Sequence, residues 1–152
     1  MTSKRYVDEL ERALARSDAN KLIQRIDAFI AHYEAGNQSW PDHQVDDFVA
    51  ILDSYADPEE ALAYVVLAAS RTDDGLFLAM MGAGPLEDML CDPCDEILAR
   101  VVAEARKSAR FRWLLNVPFK IAVSERTWEA ISPFRVTGPH EEPHKETLPA
   151  RS

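Results

Sequence analysis

The sequence predicts an all-α protein. Three observations carry that expectation. Only five Gly occur in 152 residues, too few for a turn-rich β architecture. Leu22, Ile23, Ile26, Phe29, Ile30 and Tyr33 follow the i, i+3, i+4, i+7 spacing of one helix face. Asp57-Pro58-Glu59-Glu60 precedes a long apolar run as a capped helix start. We expect seven or eight helices in antiparallel hairpins, as a bundle or a short solenoid-like stack.

Taken in order, a first helix is expected from about Ser3 to Arg16, with Tyr6, Val7, Leu10 and Leu14 inward. Ser17 or Asp18 caps the second helix, and Gly36 ends it. Asn37–Asp42 reads as a loop. A third helix carries Val45, Phe48, Val49, Ile51, Leu52 and Tyr55. The helix opened by Asp57-Pro58 is apolar nearly all round from Ala61 to Ala69, the pattern of a bundle's central helix. Leu76–Met81 is a further apolar stretch, read as helix, with Gly82 and Gly84 breaking it.

Asp92-Pro93-Cys94-Asp95 starts another helix, running to about Ser108 with Ile97, Leu98, Val101, Val102 and Ala105 inward. Phe111–Leu115 reads as a helical turn, and Asn116-Val117-Pro118 as the opening of a last helix holding Ile121, Trp128 and Ile131. Four Pro then fall between Ser132 and Ser152. We expect a single helical domain over 1–131 and a disordered tail over 132–152. Asp57–Arg71 also matches Asp92–Arg106 at an offset of 35, with Asp-Pro, Val66/Val101, Ala68/Ala103 and Arg71/Arg106 aligned. That period suits a helical repeat.

Charge is unevenly distributed. The formal net charge is −9. Residues 34–96 hold fifteen Asp and Glu and one cation, Arg71, while residues 97–126 carry +5. Such an acidic block steers basic partners and disfavours nucleic acid. No apolar leader segment is legible and no run approaches the roughly 20 residues that span a bilayer. A cytoplasmic location without membrane attachment is the expectation, and the two Cys suit a reducing compartment.

No nucleophile elbow, phosphate loop or helical His pair is present, and no cofactor motif can be read. Cys91-Asp92-Pro93-Cys94 has redox spacing, but Asp92, Asp95 and Glu96 oppose a thiolate, so the cysteines read as small buried residues. Arg106, Lys107, Arg110, Arg112 and Lys120 read as a solvated face that neutralises the acidic block.

Gly84-Pro85-Leu86-Glu87-Asp88-Met89-Leu90 is the most distinctive string. With Pro58-Glu59-Glu60-Ala61-Leu62 before it, and Phe111-Arg112-Trp113-Leu114-Leu115 and Trp128 after it, the chain resembles a bacterial family of unknown function. That family is marked by a Gly-Pro-Leu-Glu-Asp-x-Leu segment, and the resemblance spans about Trp40 to Trp128. It implies a small helical bacterial domain and no activity; small domains of this sort can act as immunity proteins. Physically, Gly84 would turn the backbone, Pro85 would start a helix, and Glu87 and Asp88 would favour its dipole.

The composite reading is a non-catalytic protein-interaction module. Asp73, Asp74, Glu87, Asp88, Asp92, Asp95 and Glu96 would dock a basic protein partner, in the manner of an immunity protein or antitoxin. The alternative is a small metal-dependent enzyme built on the acids around Glu87 and Asp88.

Overall fold

The computed structural model describes residues 7–36, 43, 45–52 and 57–151. Secondary structure among them is all helical. The elements are α1 (Glu9–Leu14), α2 (Ala19–Glu34), α3 (Val45–Leu52), α4 (Pro58–Arg71), α5 (Gly75–Met81), a π-helical segment (Gly82–Leu86), α6 (Glu87–Leu90), α7 (Asp95–Lys107), α8 (Ala109–Leu114) and α9 (Glu125–Ile131). Single 3-10 turns follow at Lys120–Ala122, Ser132–Phe134 and Lys145–Thr147.

The architecture is a bundle around α4. Asp57 accepts a hydrogen bond from the Glu60 amide and Pro58 takes the first turn, as the local sequence dictates. Ala61 to Ala68 are all buried. A helix with no polar stripe is stable only when neighbours cover every face, and α1, α2, α3, α5 and α8 do so. Tyr64 is fully buried and spends its hydroxyl on Arg25 Nη1 at 3.1 Å. Phe29, Phe48 and Phe77 form the aromatic part of the same core, with centroids 4.6 and 5.6 Å from Phe29.

The buried face of α2 matches its periodicity at Leu22, Ile26, Phe29 and Ile30, while Tyr33 is exposed, and Gly36 adopts φ 74° just beyond the helix. Asp18 precedes α2 but makes no cap; its carboxylate pairs with Arg16 instead. In α1 the inward residues are Glu9 and Ala13, and Leu14 is exposed. Val49 and Leu76 also point outward. Tyr6, Tyr55 and the Asn37–Asp42 loop lie outside the described residues.

The segment after α4 departs most from its sequence reading. Gly82 and Gly84 do not break the helix. α5, the π segment and α6 run on as one rod. Pro85 has no amide proton, and in a regular helix its ring would clash with the carbonyl one turn back. The wider π turn accommodates it within the rod. Gly82 has a different duty: a Cβ built there would lie 2.7 Å from Val117 Cβ. It lets the rod press directly on the strap after α8. Gly84 meets nothing within 4 Å.

Pro118 opens no helix. The chain makes a 3-10 turn at Lys120–Ala122, and Ser124 then caps α9 by accepting from Thr127 N–H. Ile121 is consequently outside the core. Beyond α9, residues of the expected tail are hydrogen-bonded to the body. Asn116 Oδ1 accepts from the amides of Val136 and Thr137, Trp113 Nε1 donates to Thr147, and Arg110 Nε donates to the Pro149 carbonyl. No helix among the described residues is long and apolar enough to cross a membrane.

Candidate functional site

The seven acidic residues singled out in the sequence occupy three places. Asp92, Asp95 and Glu96 stand at the start of α7. Asp73 and Asp74 stand beyond the other end of α4, whose fourteen residues extend roughly 20 Å. Glu87 and Asp88 begin α6, in the last turn of the rod.

The first group is the open one. The side chains of Asp92, Asp95 and Glu96 are 85%, 99% and 76% exposed. Arg126 reaches them from α9, 2.5 Å from Asp95 and 3.9 Å from Asp92. Its other nitrogen is held by the Pro93 carbonyl. Arg100 lies 3.8 Å from Glu96 and 2.5 Å from Glu59. Cys91 and Cys94 flank this group as exposed free thiols. They are not the small buried residues the sequence suggested, because the loop needs only Pro93 to pack inward.

The second group is already occupied. Asp74 caps α5, accepting from the amides of Leu76 and Phe77. Asp73 accepts from Arg151 at 2.9 Å and Arg110 at 3.0 Å. These guanidinium groups, Arg151 first, hold its carboxyl down at about 2. Arg110 is not on a solvated face. It is buried, and its Nη1 donates to the carbonyls of Ala69 and Thr72, closing the end of α4.

A pH prediction follows from Asp73. Its folded pKa lies below the unfolded value near 3.9. Its contribution is therefore complete above about pH 4 and is lost as pH falls toward 2. A carboxyl ¹³C titration is expected to give a midpoint near 2 for Asp73, moving up toward the ordinary value in Arg151→Ala. An unchanged midpoint in that variant would show that the tail does not hold Asp73.

The third group follows the π segment within one continuous rod, so no free helix start lies before it. Glu87 is half-buried, and its Oε2 accepts from the Phe119 amide at 3.0 Å. It fixes the strap beyond Pro118 to the rod. Asp88 is half-buried beside it. Among the described residues, no three His, Cys, Asp or Glu side chains converge as a metal site requires.

Sequence reasoning missed a buried ionic junction. Arg100 donates from Nε and Nη2 to the two oxygens of Glu9, at 2.9 and 2.7 Å. Glu104, also buried, accepts from the Glu9 amide. The hydrogen bonds to Glu9, and then to Glu59, raise the Arg100 pKa further above its ordinary range. No sequence signal pointed to it, since Glu9 lies off the expected stripe of Tyr6, Val7, Leu10 and Leu14.

A family model described as "Family of unknown function (DUF6869)" matches residues 33–138, more than two thirds of the chain. No curated protein and no solved structure matches.

Proposed function

We propose that this chain, which belongs to the family of unknown function DUF6869, is a non-catalytic interaction module that docks a basic protein partner. The docking cluster is Asp92, Asp95 and Glu96, with Glu59 beside it. One observation supports the reading: three carboxylates at one helix start stand almost fully in solvent, with Arg126 near Asp92 and Asp95 and Arg100 near Glu96. Asp73, Asp74 and Glu87 have internal duties and drop to supporting roles. Exposed carboxylates gathered at one place accelerate encounter with a cationic surface and lose that advantage as salt rises. An immunity- or antitoxin-like inhibitor that covers a cationic effector is the form this reading takes in a bacterial, cytoplasmic setting.

The test is capture from a lysate at low and high salt, comparing the wild-type chain with Asp95→Lys/Glu96→Lys and with a control reversal at Glu146. The expected result is a basic protein retained by wild type and control, released by salt, and absent with the double variant. Capture that is indifferent to the double variant would overturn the reading.

A further inference from the structure

A cleft of about 460 Å³ lies between the start of α1, the C-terminal halves of α4 and α7, and α8. Pockets of that size take small organic molecules; they are mostly apolar, with a few placed polar groups. Leu10, Val66, Ala69 and Phe111 supply the apolar lining here, with Val66 and Phe111 buried. Ser70 and Ser108 line it as well, and such short side chains leave it open.

The charged side chains on the cleft are not equivalent. Its two acids hold the start of α1: Asp8 accepts from the Glu11 amide at 2.6 Å and Glu104 from the Glu9 amide at 3.0 Å. At the other end Arg110 and Arg151 share one carboxylate, that of Asp73, so a positive charge is left over there. Arg110 is buried, and its remaining bonds go to backbone carbonyls. The Arg151 side chain is 45% exposed. Among the described residues it makes three bonds, from Nε and Nη2 to Asp73 and from Nη1 to the Ser70 carbonyl. Each Nη of a guanidinium carries a second N–H, so one donor on each remains for a further acceptor. Paired guanidinium donors match the two oxygens of a carboxylate.

We propose that this cleft binds a small organic monocarboxylate with an alkyl or aryl body. Arg151 receives the carboxylate, and the body lies along Leu10, Val66, Ala69 and Phe111. A dianion such as a phosphate monoester fits less well. With Lys107 counted, the acids Asp8, Asp73 and Glu104 equal the cations around the site, so a second negative charge meets repulsion without a matching attraction. The cleft lies at the opposite end of α4 from Asp95 and Glu96, so this binding neither needs nor excludes a basic protein partner there.

Titration of the full chain with sodium octanoate, followed by methyl NMR, tests it. The expected result is saturable shifts at the Leu10 and Val66 methyls. Octanol and octylamine, which keep the body and change the head, are expected to bind about tenfold or more weakly. Arg151→Gln is expected to weaken octanoate about tenfold or more while leaving octanol unchanged, which also reports that the cleft is intact. Ala69→Leu, which narrows the cleft, is expected to weaken all three compounds. No saturable shift at these methyls overturns the proposal. So does equal binding of octanoate, octanol and octylamine by the wild type, or octanoate binding that Arg151→Gln leaves unchanged. Octanoate binding that Ala69→Leu leaves unchanged would place the compound outside the cleft and overturn it too.

Discussion

Replacing Arg100 by Met is expected to lower stability by about 3–5 kcal/mol, the scale for stripping one partner from a buried ion pair. The side chains of Arg100 and Glu9 are 13% and 4% exposed. Both Glu9 oxygens are satisfied by the same guanidinium, and the Glu9 amide is satisfied by Glu104. Without Arg100 the Glu9 carboxylate stays in the interface between α1 and α7 with only the half-exposed Arg12, 3.6 Å away, as a cation. Water does not reach it without lifting α1 away. The double variant Glu9→Leu/Arg100→Met is expected to recover most of the loss, because the buried Glu9 charge is removed together with its partner. Urea unfolding of the three variants measures both effects. Equal destabilisation of the single and double variants would show that the pair itself stabilises the fold, rather than the absence of an orphaned charge.

Gly82→Ala is expected to cost about 1–3 kcal/mol, the range for forcing extra volume into a packed core. The added methyl would sit 2.7 Å from Val117 Cβ, and Val117 is itself buried and fixed between Asn116 and Pro118. The rod and the strap must separate, and the Glu87 bond to the Phe119 amide lengthens with them. Val117→Ala in the same chain keeps its Cβ, so only part of the loss is expected to return. Gly84→Ala is the internal comparison. It stands in the same rod with no tertiary neighbour within 4 Å, and only the ring of the following Pro85 opposes a side chain there, so it is expected to cost less than Gly82→Ala. Thermal unfolding of the two Ala variants separates them. Equal effects would mean that the close approach at Gly82 is not a structural constraint.

These two sites show where sequence reasoning reached and where it stopped. α4 was fully legible. Its cap, its proline and its all-round apolar run each concern residues within one helix, so local chemistry settled them. Gly82-Ala83-Gly84-Pro85 carried equally strong local signals, and they misled. Gly and Pro mark a break only when nothing else holds the backbone, and here Val117 and a π turn do. The capping role given to Glu87 and Asp88 failed with the break it assumed. Glu87 instead answers an amide 32 residues away.

Charge was legible as a count and illegible as a surface. The run from residue 34 to 96 reads as one acidic block, yet α4 carries Asp73 and Asp74 to the opposite end from Asp95 and Glu96. The positive stretch after Ile97 then folds back on it, with Arg100, Arg110 and Arg126 each meeting an acid from the block. Residue type could not foretell that Arg110 is buried, since its four acceptors lie 37 to 41 residues away.

The sequence by itself determined that this protein is helical, that α4 is central, and that its acids outnumber its bases in the middle third. Those properties depend on periodicity, capping and composition, which act over a few residues. The tertiary structure alone decided which charges remain in solvent, which are spent on internal bonds, and that Cys91, Cys94, Ile121 and Val136 face outward. Those outcomes depend on desolvation and on close approach between segments distant in the chain, and no local pattern encodes either.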